Sequence, residues 1–181
     1  MPLTTYTAGE VLTAASLNAN LSFAATNPVS KVGQVLSTAL TTTFTTTSTS
    51  FTDITGLSVT ITPTAATSKI LVLVQLSASQ DVGVNQAAAR LVRGSTAIDI
   101  GDAAGSRTQA LNQVRGQATD TPIMIPAIFL DSPATTSATT YKMQGIVYTS
   151  GTFYVNRSSA DTNSPEVPRT ASTITVMEIL A

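Results

Sequence analysis

Residues 57–74 read LSVTITPTAATSKILVLV, and this stretch decides the fold. Leu57, Val59 and Ile61 alternate with Ser and Thr, a pattern that predicts a strand with one buried face and one face in water. The proline and small polar residues that follow predict a turn. Residues 70–74 are then apolar at every position, which predicts a central strand that is covered on both faces.

That central strand also predicts a contact outside the chain. In a sandwich of two sheets only one face of a strand meets the core, so the other face needs a second partner. A symmetry-related subunit is the natural candidate, because most oligomers are symmetric assemblies of one chain. We therefore predict a subunit interface formed by Ile70, Leu71, Val72, Leu73 and Val74.

The remaining pattern from residue 29 onward is also that of strands and turns. The Thr-rich residues 38–52 predict two strand segments with a break near Ser48, because Thr is β-branched, and we expect Phe44 and Phe51 to point inward. Further strands are predicted at 87–93, 97–100, 108–117, 123–130, 141–148, 152–157 and 173–180. Eight to ten short strands are typical of a mainly β domain, a β-sandwich or jelly-roll-like fold, which we place at residues 29–181.

Residues 1–28 have a different character and are predicted to form an N-terminal anchor segment. Thr13 is a suitable N-cap for a short helix over residues 14–26, which the proline at position 28 would end. Leu17 and Leu21 lie on one narrow apolar side of that helix. Because so short a helix is marginally stable alone, we expect it to pack against a partner.

Composition excludes several classes of function. Only 10% of the residues are charged, against about 25% in a typical chain, and the sequence contains no His and no Cys. A Ser-His-Asp triad is thereby excluded, as are most zinc sites. The segment 101–105 lacks the patterns of a calcium or phosphate loop and predicts a Gly-rich turn. We predict no enzymatic activity, no metal and no cofactor, although the spacing of the ten acidic residues leaves a carboxylate hydrolase open.

Charge and hydropathy also limit the partners. The net charge is −1 and the basic residues are scattered, so we expect no nucleic-acid binding. No apolar run is long enough for a membrane span, and the N-terminus lacks the pattern of a signal peptide, so we expect no membrane insertion. Tyr148, Tyr154 and Arg157 belong to one predicted hairpin and are candidate receptor contacts, because Tyr and Arg are favoured in binding surfaces. The alternative is that aromatic residues of this hairpin fill the core.

The N-terminal segment carries a resemblance to a known family. Residues 6–18, YTAGEVLTAASLN, resemble a segment found at the N-termini of bacteriophage tail-fibre and related virion proteins. The stretches at 50–63, 68–74, 89–98 and 170–179 together resemble β domains of phages of aquatic bacteria. The resemblance implies a homotrimer that docks on the particle by its N-terminus. The docking residues it implies are Tyr6, Thr7, Glu10, Val11, Leu12, Leu17, Asn18 and Leu21.

The function implied by this resemblance is that of a virion structural protein. A short tail fibre or baseplate-associated fibre is expected, assembled with other virion proteins in the bacterial host cytoplasm and released by lysis. Its β domain would recognise the host surface, for example a cell-surface glycan. Two alternatives stay open: a decoration protein of the capsid head, and a lectin-like glycan-binding module.

Overall fold

The longest strand, Lys69–Gln80, contains the apolar residues 70–74 and lies at the centre of the fold. The computed structural model describes residues 13–15, 18, 31–81, 86–115 and 121–181. Within them are eleven strands: β1 (Val32–Leu40), β2 (Phe44–Thr46), β3 (Thr52–Ile61), β4 (Lys69–Gln80), β5 (Gln86–Arg93), β6 (Thr96–Ile98), β7 (Asn112–Arg115), β8 (Ile123–Asp131), β9 (Thr139–Val147), β10 (Phe153–Val155) and β11 (Ser172–Ile179).

The strands form two antiparallel sheets. In sheet 1 the order is β1-β11-β4-β10-β2, and β8 pairs with the other side of β4. β4 is long enough to pair with β11 along its first half and with β10 at its end. In sheet 2 the order is β3-β9-β5-β6, and β7 pairs with the first half of β5.

One core fills the space between the two sheets. The alternation of residues 57–61 is confirmed, since Leu57, Val59 and Ile61 are all buried. On β4 the even-numbered residues point into the core. The largest buried side chains come from both sheets and include Leu57, Ile61, Ile70, Leu76, Leu91, Tyr141, Met143, Phe153 and Ile174. The prediction of a mainly β, sandwich-like domain is therefore confirmed.

A polar cluster links the two sheets at one end of the core. Asp131, at the end of β8, accepts hydrogen bonds from the Arg93 guanidinium at 2.7 and 2.8 Å and from the Tyr141 hydroxyl at 2.6 Å. Arg93 and Tyr141 lie opposite each other on β5 and β9 of sheet 2. Burial, and then the bond to Asp131, raises the pKa of Tyr141.

Two local predictions were wrong. The predicted strand at 108–117 is a loop over residues 108–111 and a strand over Asn112–Arg115 (β7), and residues 116–117 lie outside the described residues. The predicted break near Ser48 is present between β2 and β3, and Phe44 packs against the core. Phe51, however, lies under the Arg90 guanidinium, 3.8 Å from its ring centre, and is not part of the core. A cation–π contact with Arg90, on the outer face of sheet 2, replaces the burial in the core that was expected for Phe51.

The chain divides into two compact units, residues 1–31 and residues 32–181. No helix element occurs among the described residues, where only Ala14, Ala15 and Asn18 have helical backbone. Most of the helix predicted over 14–26 lies outside the described residues.

Candidate functional site

The outer face of sheet 1 carries a continuous apolar surface. Val35 on β1, Met177 on β11, Leu71 on β4 and Leu130 on β8 lie opposite one another in a row across four strands. Leu73 and Ile128 form a second pair one step along. These six residues are called the apolar face from here on: Val35, Leu71, Leu73, Ile128, Leu130 and Met177.

The apolar face is accessible along β8 and β1. Ile128 is 75% exposed, Val35 51% and Leu130 48%. Beside them lies a shallow, mostly apolar depression of about 300 Å³, lined among others by Leu73, Ile128 and Pro126. Large exposed apolar patches are uncommon on monomeric proteins and mark interaction sites. The apolar face is therefore the candidate functional surface.

The outer face of sheet 1 also has a polar half, around Ser77 and Ser79 of β4. The chain's own residues cover this half. Ser77 and Ser79 follow Leu71 and Leu73 on the outer side of β4, yet both are buried. The Ser79 hydroxyl donates to the carbonyl of Arg157 at 2.7 Å, and the Ser77 hydroxyl lies 2.7 Å from that of Thr170. The loop after β10 thus covers the polar half, whereas the apolar half has no such cover among the described residues.

Asn156 fixes the start of that covering loop. Its backbone adopts a left-handed conformation, with φ of 61°, and its side chain is fully buried. The amide nitrogen donates to the carbonyls of Leu40 and Thr42 at 2.7 and 2.9 Å, and the amide oxygen accepts from Ser172 at 2.6 Å.

The outer face of sheet 2 is polar and charged by contrast. Asp53 accepts from Lys142 at 2.7 Å and from Gln144 at 2.6 Å, and Arg90 donates to Gln144 at 2.8 Å. The hydrogen bond from Lys142 in particular lowers the pKa of Asp53. Charged networks of this kind are stable in water, so the two outer faces of the domain differ in chemistry.

The predicted subunit interface separates into two groups in the structure. Ile70, Val72 and Val74 fill the chain's own core, with exposures of 3% or less, so they cannot contact a second subunit. Leu71 and Leu73 are half-buried on the outer side, where the interface prediction still applies. Ile128 and Leu130 were not predicted as interface residues, although the sequence of residues 123–130 is also mostly apolar and offered the same signal.

The three predicted receptor contacts do not form one site. Tyr154 donates its hydroxyl to Asp81 at 2.7 Å, and its ring lies 4.7 Å from the Arg157 guanidinium. Arg157 also donates to the carbonyls of Ser158 and Ser159. Burial, and then the bond to Asp81, raises the pKa of Tyr154. Tyr154 and Arg157 therefore have structural partners within the chain.

Tyr148 lies elsewhere, on the wall of a second concavity. This concavity has a volume of about 590 Å³ and lies between β5, β7 and residues 101–111. We call it the polar hollow, because most of its lining residues have polar side chains, among them four amides and two charged groups. Only Tyr148 was predicted as a contact residue, because the other lining residues come from two separate parts of the chain, 86–88 and 101–113.

The predicted docking residues fall almost entirely outside the described residues. This applies to Tyr6, Thr7, Glu10, Val11, Leu12, Leu17 and Leu21. Asn18 is described, with helical backbone and an exposed side chain. In the described part of the chain, no cluster of three or more metal-ligating residues is found, and no helix is long and apolar enough to cross a membrane.

No protein-family model and no curated protein matches the chain. Solved structures with partial similarity include proteins of infectious bursal disease virus. The VP2 subviral particle aligns over 82% of this chain and 38% of that chain, at 13% identity and a TM-score of 0.43. A mutant VP2 in T=1 particles aligns over 82% and 36%, at 15% identity and a TM-score of 0.43. This chain thus spans less than two fifths of the length of each of these proteins.

Proposed function

We propose that this chain is a structural protein of a virus particle, a short tail fibre or baseplate-associated fibre of a bacteriophage. In this proposal it acts as a homotrimer whose subunits pack through the apolar face. The proposal rests on one observation: the apolar face is accessible, carries no charge and extends across four strands. The resemblance of residues 6–18 to the N-termini of tail-fibre proteins adds the attachment to the particle.

A second copy of the same chain is the occupant that best fits the apolar face. Around a symmetry axis identical side chains come close together, and like charges there would repel each other. The apolar face has no charged member, and its polar neighbours Ser37, Thr173, Thr175 and Gln75 are neutral. Lys69, at the end of β4, lies at the rim. A symmetric contact across this face therefore brings no like charges together.

The copies would pack face to face rather than extend the sheet. In the described residues β8 is an edge strand of sheet 1, and an exposed edge can recruit another strand. Pro126 lies in the middle of β8, opposite Gln75, and has no backbone N–H to donate. Proline on an edge strand discourages strand addition. Along this edge, association through the side chains of the apolar face is therefore favoured over strand addition.

The proposal includes no catalytic activity. Three of the acidic residues that could act in hydrolysis have structural roles instead. Asp131 binds Arg93, Asp53 binds Lys142, and Asp81 accepts from the Thr152 backbone at 2.6 Å and from the hydroxyl of Tyr154. A carboxylate saturated with such bonds is poorly placed to exchange protons with a substrate.

The interface is tested by a single charge on the apolar face. Ile128→Lys places an ammonium in the proposed contact, where burying it unpaired is strongly unfavourable. Thr60→Lys, on the exposed side of β3, is the matched control. In size-exclusion chromatography with light scattering, the wild type and Thr60→Lys should have the mass of three chains and Ile128→Lys that of one. A monomeric wild type, or a trimeric Ile128→Lys, would contradict the proposed interface.

The particle role is tested by immunogold electron microscopy of purified particles with antibody against residues 32–181. Label at the tail tip or baseplate supports the fibre. Label over the head would replace the fibre with a decoration protein of the capsid. Particles without label, from cells that express the protein, would contradict the virion role altogether.

A further inference from the structure

The polar hollow lies on the outer side of sheet 2. Ala88 on β5 is fully buried and forms part of its floor, with Gln86 and Gln113 beside it. On β4 the chain presents leucines outward, whereas here it presents amides around a small alanine. The difference makes a concave surface with room for a small polar ligand.

The wall opposite these strands is held in place by its own hydrogen bonds. Gln109 donates its side-chain amide to the carbonyl of Gly101 at 2.7 Å, which closes the loop between them. The backbone N–H of Leu111 donates to Ala89 at 3.0 Å and joins this loop to β5. A wall fixed in this way is preorganised, so a ligand would lose little affinity through ordering it.

Several hydrogen-bonding groups of the hollow remain available. Gln113 donates to the amide oxygen of Gln86, but its own amide oxygen and that of Gln109 accept no bond from any described residue. An amide group offers two donors and an acceptor. Such groups suit a ligand whose own groups both donate and accept, which is the property of a hydroxyl.

Two opposite charges stand at the hollow and cancel each other. Asp102 and Arg107 line it, both are exposed, and neither side chain is bonded to another described residue. Most other charges of this charge-poor domain have partners, such as Arg93 with Asp131 and Lys142 with Asp53. One carboxylate and one guanidinium give no net attraction for an anion or a cation.

We propose that the polar hollow binds a neutral oligosaccharide. Amides, the carboxylate and the guanidinium would bind sugar hydroxyls, and the ring of Tyr148 would pack on the apolar face of a sugar ring. Tyr148 is positioned for this by its backbone bond to Gln86 at 3.0 Å. The inference rests on the proposed function only for display, since three copies in one trimer would strengthen a weak single site by avidity.

The test begins with an array of neutral hexose and N-acetylhexosamine oligosaccharides, beside sialylated and sulfated ones. Bound oligosaccharides are then titrated by calorimetry against wild type, Asp102→Asn and Gln113→Ala. Glu166→Gln, an exposed charge change outside the hollow, is the control. We expect each hollow variant to bind about tenfold more weakly, the effect of one lost hydrogen bond to a charged or polar partner, with the control unchanged.

Three results would overturn the inference. The first is no binding on the array and none by NMR at millimolar saccharide. The second is binding that the hollow variants leave unchanged. The third is preference for the acidic saccharides, which would assign the site to Arg107 and an anion. The mass of the wild type separates the two proposals: saccharide binding by a monomeric wild type keeps the hollow and removes the interface, whereas a trimeric wild type that binds no saccharide removes the hollow alone.

Discussion

Glu178 is a carboxylate with no exposed surface near the end of β11, and its replacement tests the physical account of this fold. Its Oε2 accepts from the Gln34 side chain at 2.7 Å. Its Oε1 accepts from both the backbone N–H and the hydroxyl of Thr64, each at 2.7 Å. Gln34 belongs to β1 of sheet 1, and Thr64 follows β3 of sheet 2, so this one carboxylate joins the two sheets.

The contribution of Glu178 to the free energy of folding follows from its pKa. Burial alone would raise the pKa of Glu178, but the hydrogen bonds from Gln34 and Thr64 outweigh it and lower the pKa from 4.5 to about 2. At about 1.4 kcal/mol per pH unit, the ionised form contributes on the order of 3 kcal/mol to folding. Because the pKa is lower in the folded chain, this contribution is complete above pH 4.5. It is lost as the pH falls towards 2.

Glu178→Gln keeps the shape of the side chain and removes its charge. We expect urea denaturation at pH 7 and fixed protein concentration to show a loss of about 2–3 kcal/mol, typical of broken charge-assisted hydrogen bonds. The difference from wild type should shrink steadily between pH 4.5 and pH 2. Comparing the two proteins cancels the effect of Asp53, whose pKa is also lowered. Glu166→Gln, an exposed control, should stay within about 0.5 kcal/mol of wild type.

If the stability difference between wild type and Glu178→Gln is the same at pH 7 and at pH 2, the charge of Glu178 does not stabilise the fold. A difference below about 0.5 kcal/mol at pH 7 would lead to the same conclusion.

Three other substitutions should lower the free energy of unfolding, each measured by urea denaturation. Asn156→Ala removes three hydrogen bonds of a buried side chain and places Ala at a positive φ, so we expect a loss of about 3–5 kcal/mol; a loss under 1 kcal/mol would contradict its role. Gly145→Ala puts a Cβ within 2.8 Å of the Phe153 ring, which should cost about 1–3 kcal/mol, and no loss would show that the ring moves aside. Asp131→Ala leaves Arg93 without its partner and should cost about 2–4 kcal/mol, whereas a neutral result would show that water replaces the carboxylate.

Strands with one face in the core and the other face in water were predictable from the sequence. The alternation at 57–61 assigned three side chains to the core, because water on one face and apolar packing on the other leave a period of two. Residues 70–74 gave no such period, so their pattern predicted a central strand and a subunit interface without distinguishing the residues that face inward from those that face outward. Which members face inward was decided by the pairing of β4 with β11 and β8, a contact between distant parts of the chain.

The candidate sites were less predictable for a related reason. The apolar face is assembled from four strands, so no local window contains it. The polar hollow combines Gln86, residues 101–113 and Tyr148, which come together only when β5 pairs with β7 and β9. Tyr154 and Arg157 have the residue types of a binding surface, but their partners Asp81 and the carbonyls after Arg157 were not visible in the pattern.

The domain has few charges, and their positions make the outer faces of its two sheets chemically different. The face that carries the charges stays hydrated, whereas the uncharged face can be buried against a partner. Asp53, Arg90 and Lys142 form a hydrogen-bonded network on sheet 2, and removing that network from water would cost several kcal/mol. The leucines of sheet 1 gain from the same removal. Association of copies should therefore bury sheet 1 and leave sheet 2 in water. In the proposed assembly that orientation would present the polar hollow outward in every copy, so the chemistry that drives assembly would also set the direction of display.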